Sequence, residues 1–126
     1  MKLTVSTLFT AYPVLVAIIN EKRKMSVKGS YRLARMYSKL EPEFKIVNDQ
    51  REALIKEFGS EAKDEDGKPT GGYEVKRDSD KWADFESAVN KLLADEIEVS
   101  VEPIPLEHLD NLVAHEFLAL GDLVVE

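Results

Sequence analysis

Apolar residues recur at intervals of three and four along one stretch of the chain, and this pattern constrains the fold more than any other feature. Only Arg51 interrupts the series, which consists of Val27, Tyr31, Ala34, Tyr37, Leu40, Phe44, Val47, Leu54 and Phe58. Because an α-helix has about 3.6 residues per turn, such spacing puts these side chains on one face. The pattern predicts one long amphipathic helix, or two stacked helices, over this stretch.

The limits of this helix carry recognisable signals. Ser26 is a predicted N-cap, because its hydroxyl can accept a hydrogen bond from an N–H of the first turn. Gly59 is a predicted stop. Pro42 lies inside the pattern, where it removes a backbone hydrogen bond and its ring clashes with the preceding turn. We therefore expect a kink or a break near Leu40 and Glu41.

Shorter elements flank the long helix. Residues 2–7 alternate between apolar and polar, which predicts a short strand or the lead-in to a helix. That helix is predicted at residues 13–22, with Pro13 in its first turn. Residues 61–72 are polar and rich in glycine, which predicts a loop or a hairpin whose second arm is residues 73–76.

The last third of the chain predicts two helices and a strand. A helix capped by Asp78 or Ser79 would bury a stripe made of Trp82, Phe85, Val89, Leu92 and Leu93. Residues 96–102 alternate strictly between apolar and polar, as in a strand with one wet face. A short helix is predicted at residues 116–120. Together these elements predict an α+β fold, mainly helical, with the long amphipathic helix kinked near Pro42 and a small antiparallel sheet.

Length and composition indicate one soluble domain. The 126 residues fit a single domain covering positions 1–126. The absence of cysteine excludes disulfides and thiolate chemistry and agrees with a reducing compartment. Residues 12–19 form the most apolar run, which is far shorter than the roughly 20 residues that span a membrane. Charged residues follow it instead of a small-residue cleavage site, so we expect neither a membrane segment nor a signal peptide.

The charge is unevenly distributed. The net charge of −7 argues against binding to duplex DNA. Residues 1–46 hold nine basic and three acidic residues, a balance of +6, whereas residues 47–126 hold eight basic and twenty-one acidic residues, a balance of −13. Opposite charges of this kind can attract separate copies of the chain or different partners.

A basic stripe is the first candidate binding site. It consists of Lys24, Lys28, Arg32, Arg35 and Lys39. Spacings of four, four, three and four place these cations on one helical face, about 100° from the apolar stripe. A row of cations without interleaved acids attracts phosphates or an acidic protein surface. The alternative is a solvated face whose aliphatic stems cover the edge of the core.

An acidic face is the second candidate. Glu96, Glu98 and Glu102 lie on the wet side of the predicted strand and repel one another unless a basic partner sits opposite. That partner would be the basic stripe of this chain or of another copy. The alternative is again an exposed strand face.

Catalytic and metal motifs are not recognised in the sequence. His108 and His115 are seven residues apart, which does not match helical zinc-ligand spacing. The segment Asp64-Glu65-Asp66-Gly67 has its glycine too early for a calcium loop and is interpreted as a turn. No serine or threonine has a nearby histidine base. We therefore predict no catalytic residues, no metal and no cofactor.

Several segments resemble a family of small uncharacterised proteins encoded by tailed bacteriophages. They are residues 26–34 (SVKGSYRLA), 40–43 (LEPE), 50–55 (QREALI) and 97–106 (IEVSVEPIPL), with the acidic Asp-Gly loop between the last two. The resemblance implies a viral accessory or assembly protein made in the bacterial cytoplasm, and it brings no catalytic residues with it.

Three functions follow as hypotheses. The first is a non-enzymatic accessory protein, acting as a homo-oligomer, that binds a host or phage protein or sequesters a small anionic ligand. The second is a virion or assembly component of a head or tail. The third is an enzyme that uses carboxylates and a metal.

Overall fold

The computed structural model describes residues 1–126, which form two compact units. The terminal unit contains residues 1–45 and 96–126, and the middle unit contains residues 46–95. The predicted class is confirmed: the fold is α+β and mainly helical, with one long helix and small two-stranded sheets.

The terminal unit begins with strand β1 (Lys2–Thr4) and helix α1 (Val5–Asn20). Thr4 caps the helix, since its Oγ1 accepts a hydrogen bond from the Thr7 N–H at 3.1 Å. The predicted start at Pro13 is wrong by about two turns. The cap and a buried face that begins at Val5 extend the helix backwards, and Pro13 lies exposed within it.

Helix α2 (Val27–Phe58) is a single element that runs through Pro42. The sequence predicted a kink or a break near Leu40 and Glu41, and the break does not occur. Pro42 is exposed, so water can satisfy the carbonyl that loses its helical partner. Packing on both sides of Pro42 also holds the helix, because Leu40 and Val47 are buried.

The buried face of α2 differs from the predicted one at its start. Leu33, Met36 and Leu40 are buried, whereas Val27 and Tyr31 are 86% and 63% exposed. Residues of both sets are three or four positions apart, so spacing alone does not tell them apart. Over the first two turns of α2 the prediction therefore chose the set that is exposed. The predicted cap is confirmed: the Ser26 Oγ accepts a hydrogen bond from the Gly29 N–H at 3.0 Å.

The remaining elements of the terminal unit close its core. Strand β4 (Glu96–Glu98) pairs antiparallel with β1, and strand β5 (Ile104–Pro105) pairs parallel with strand β6 (Val124–Val125). Helix α4 (Ala114–Leu120) lies between β5 and β6 in the chain. The strand predicted over residues 96–102 ends at Glu98, but the alternation persists, with Val99 and Val101 buried and Ser100 and Glu102 exposed.

A polar network ties the connection between α1 and α2 to α4 and to the residues just before α4. The buried Glu116 carboxylate accepts a hydrogen bond from the Arg23 guanidinium and one from the Val113 N–H at 2.9 Å. Arg23 also donates to the Asn111 carbonyl at 3.0 Å, and the Asn111 amide donates to the Lys24 carbonyl. Hydrogen bonding to Arg23 lowers the pKa of Glu116 despite its burial.

Aromatic rings join α1 to α2. Tyr12 stacks on Phe44 with a centroid separation of 4.1 Å and on Tyr37 with one of 5.8 Å. Phe9 meets the edge of Phe44 at 5.4 Å. Burial, aided by a hydrogen bond to Tyr37, raises the pKa of Tyr12 to about 12, so this ring stays neutral through the physiological range.

The middle unit contains the end of α2, a hairpin and a helix. Strands β2 (Ser60–Lys63) and β3 (Pro69–Glu74) pair antiparallel with a bulge. The second arm therefore begins before the predicted residues 73–76. The turn interpretation is confirmed: the Asp64 carboxylate accepts hydrogen bonds from the N–H groups of Asp66 at 3.0 Å and Lys68 at 2.9 Å.

Helix α3 (Trp82–Ala94) completes the middle unit. Its N-cap is Lys81, so the predicted capping by Asp78 or Ser79 is wrong, although the Ser79 hydroxyl accepts the Lys81 N–H at 3.2 Å. The predicted stripe is half-buried and not fully buried, because the middle unit is too small to enclose it. Phe85 contacts Trp82 at 5.5 Å and Phe58 at 6.3 Å between ring centroids.

Gly29 should tolerate no side chain. Alanine at an ordinary helical position gains roughly 1 kcal/mol over glycine. A Cβ at Gly29 would lie only 2.0 Å from the His108 carbonyl oxygen. We expect Gly29→Ala to lower the free energy of unfolding by about 1–3 kcal/mol in chemical denaturation. Gly72→Ala is the control, since a Cβ there would lie 3.8 Å from the Thr70 hydroxyl, an ordinary van der Waals contact. A Gly29→Ala protein as stable as the parent would contradict the close approach.

The Glu116 carboxylate should stabilise the fold in a pH-dependent way. Its pKa is lower in the folded state, so its contribution is present above the ordinary value of 4.5 and declines as pH falls below it. We expect Glu116→Gln to cost about 2 kcal/mol of unfolding free energy at pH 7. The difference from the parent should shrink at lower pH in denaturant titrations. The exposed Glu57→Gln is the control, and a pH-independent difference would argue against the ion pair.

Candidate functional site

A groove in the terminal unit lies along α2 and faces the segment that follows β4. Its volume is about 490 Å³. The α2 side is formed by Lys28, Tyr31, Arg32, Arg35, Met36 and Lys39. The opposite side is formed by Ser100, Val101 and Glu102. We refer to this site as the basic groove.

Four of the five predicted stripe cations line the basic groove together. The α2 residues of the groove recur at three and four, so they form one face of the helix over about 16 Å. Lys24 does not belong to this face. It precedes the first residue of α2, so helical spacing does not apply to it, and its carbonyl accepts the Asn111 amide.

The four cations of the groove have no acidic partner within the chain. None of them forms a salt bridge, and only Arg32 is partly buried. Lys28 and Arg32, like Arg35 and Lys39, are four residues apart on the helix, a spacing at which like charges repel. Each like-charge pair at this spacing destabilises a helix by roughly 0.2–0.5 kcal/mol, and a bound anion would offset that repulsion.

The predicted acidic face is divided by the structure. Glu102 lines the basic groove, opposite the cations. Glu96 and Glu98 lie in β4, and the Glu98 carboxylate accepts a hydrogen bond from the Met1 amino group at 3.0 Å. Of the three predicted acidic residues, Glu102 alone faces the groove cations in this chain, and it forms no salt bridge with them.

The floor and one wall of the groove are apolar or aromatic. Met36 and Val101 line it and are almost fully buried. Tyr31 contributes an exposed ring that stacks on no other aromatic ring of the chain. The predicted place of Tyr31 in the core stripe is therefore wrong, because its ring is exposed in the groove. The available signal was its position three residues after Lys28 and four before Arg35.

The remaining candidates do not assemble into a site. No group of three or more His, Asp or Glu side chains is arranged to hold a metal ion. His108 lies beside the start of α2 with its Nδ1 buried and unpartnered, while His115 is exposed. No helix is both long and apolar enough to cross a membrane.

Comparison with known proteins identifies no relative of this chain, so the function is inferred from the geometry of the basic groove. No protein-family model matches the chain, and searches of curated proteins and of solved structures gave no match.

Proposed function

We propose that this protein is a binding protein that takes a phosphate-bearing anion in the basic groove. The observation that carries the proposal is the convergence of four unpaired cations on one partly enclosed surface. Arginine and lysine in such a row provide charge-assisted hydrogen bonds to phosphate oxygens. An anion would also relieve the repulsion between neighbouring cations, so binding and folding would support each other.

The groove geometry favours this proposal over a merely solvated face. A solvated stripe needs no opposing wall, whereas here Ser100, Val101 and Glu102 lie across from the helix. The volume of about 490 Å³ falls within the roughly 300–1,000 Å³ typical of small-molecule sites. Polar and apolar groups line it together, as they do in most ligand sites.

The proposal extends to the role of the protein in a phage-infected cell. The resemblance to phage proteins suggests an accessory factor that sequesters such an anion in an infected cell, or a component of head or tail assembly. We propose a non-enzymatic role because the groove presents four cations, which are suited to holding an anion by charge-assisted hydrogen bonds.

Inorganic triphosphate should bind to the basic groove. In calorimetry at low ionic strength we expect Arg35→Glu to weaken binding about tenfold and the Arg32→Glu, Arg35→Glu double variant about a hundredfold. Added salt should weaken binding to the parent, and triphosphate should raise its melting temperature by mass action.

Lys45→Glu is the matched control for this experiment. Lys45 is an exposed cation on the same helix that does not line the groove. Its reversal should change the affinity by no more than about twofold, since long-range charge effects are screened. Circular dichroism establishes that each variant is folded. If Lys45→Glu and Arg35→Glu reduced the affinity for triphosphate equally, the net charge of the protein, and not the groove, would attract the anion.

A second candidate is self-assembly, in which acidic segments of one copy occupy the basic groove of another. The observation in its favour is the β2–β3 hairpin, which is exposed along nearly its whole length and carries Glu65 and Asp66 at its tip. An extended acidic hairpin of this kind can present carboxylates to a cationic face of a partner copy.

Light scattering after size-exclusion chromatography tests this candidate. We expect a discrete oligomer at low salt that dissociates at high salt, because the contacts between copies would be ionic. Glu65→Lys combined with Asp66→Lys should give a monomer, while Asp64 is kept because its carboxylate holds the turn. A monomer at every salt concentration would eliminate self-assembly.

A further inference from the structure

We propose that the ligand of the basic groove is a nucleoside phosphate whose base carries an exocyclic amino group. This inference rests on the proposed function, since it names the chemical class of the anion. It is carried by three groove features that a bare inorganic anion would leave unused: the exposed Tyr31 ring, the apolar floor and the Glu102 carboxylate.

The Glu102 carboxylate argues against a ligand that is anionic throughout. It would repel a phosphate placed next to it, yet it lines the same groove as the four cations. A carboxylate at a ligand site accepts hydrogen bonds, so the part of the ligand that faces Glu102 must carry N–H or O–H donors. Amino groups on cytosine, adenine and guanine are such donors, and carboxylate side chains are known to accept from them.

Tyr31 provides the surface on which a planar base can stack. Every ring of the α1–α2 aromatic cluster has a partner ring, but that of Tyr31 is 63% exposed and has none. On α2 it stands between Lys28 and Arg35, so a base stacked on it would have its phosphates within reach of both cations. Stacking on an exposed aromatic side chain is a general means of holding a nucleobase.

The apolar floor completes the match. Met36 and Val101 are almost fully buried and line the same groove as Tyr31 and the cations, where they offer a small apolar surface. A nucleoside has an apolar face that such a floor would cover, whereas triphosphate alone would have to be desolvated against it at a cost.

A free nucleotide fits better than a nucleic-acid strand. The row of cations on α2 is confined to the residues between Lys28 and Lys39, and the next basic residue of the helix, Lys45, lies outside the groove. The chain carries a net charge of −7, which opposes the approach of a long polyanion.

Calorimetric titration with ATP, UTP and inorganic triphosphate tests the inference on the intact chain. Triphosphate carries at least as much negative charge as ATP, so any advantage of ATP must come from its nucleoside. We expect ATP to bind about tenfold more tightly than triphosphate because of stacking. UTP, which lacks an exocyclic amino group, should bind roughly fivefold more weakly than ATP.

Variants assign these differences to particular side chains. Tyr31→Ala should reduce the preference for ATP over triphosphate about tenfold, and Tyr31→Phe should restore it. Glu102→Ala should reduce the preference for ATP over UTP and leave only the part that comes from stronger stacking of the purine on Tyr31. Tyr73→Ala is the control, since Tyr73 is an exposed tyrosine of the middle unit that does not line the groove, and its replacement should change neither preference.

The results of these titrations distinguish nucleotide binding from the more general proposal that the groove binds an anion. Triphosphate binding as tightly as ATP would overturn the nucleotide assignment and leave anion binding in place. Failure of all three ligands to bind would overturn both. Tighter binding of a single-stranded oligoadenylate than of ATP would overturn the free nucleotide in favour of a nucleic-acid strand.

Discussion

The placement of α2 in the terminal unit depends on one buried carboxylate. Glu116 holds Arg23, which lies in the connection just before α2, and Arg23 in turn holds the Asn111 carbonyl. Gly29, in the first turn of α2, lies so close to the His108 carbonyl that no Cβ fits between them. These contacts fix the start of α2 against residues 108–116. The face that carries the groove cations follows directly from this anchored start, so its position relative to residues 100–102 is set by interactions outside the groove.

Burial of the Glu116 carboxylate is tolerated because neighbouring groups replace the hydrogen bonds that it would make with water. The guanidinium of Arg23 and the Val113 N–H both donate to it, and the former outweighs desolvation in setting its pKa. A buried pair of this kind is weak evidence of net stabilisation, but loss of one member leaves an uncompensated charge. The network links residues 23–24 to residues 111–116, so loss of either Arg23 or Glu116 would leave these segments without their shared hydrogen bonds.

Part of this structure could be predicted from the sequence. The long helix, its Ser26 cap, its end at Gly59 and the burial alternation of residues 96–102 depend on local periodicity and capping, which the sequence displays directly. Four of the five stripe cations were predicted correctly to share a helical face because the register of a long helix is rigid. Lys24 was misplaced because the helix begins after it. The opposing wall and the role of Tyr31 could not be predicted, since both depend on which distant segment packs against α2.

The order of segments along the chain has a consequence for biosynthesis. The terminal unit is discontinuous, and the partners of Arg23 and Gly29 are separated from them by roughly eighty to ninety residues, whereas the middle unit is a continuous segment. As the chain emerges from the ribosome, residues 46–95 can complete their contacts while the basic helical face still lacks its opposite wall. Long loops of this kind slow the closure of native contacts. The nascent chain thus exposes an uncovered cationic surface until residues 100–102 have been made and can pack opposite it.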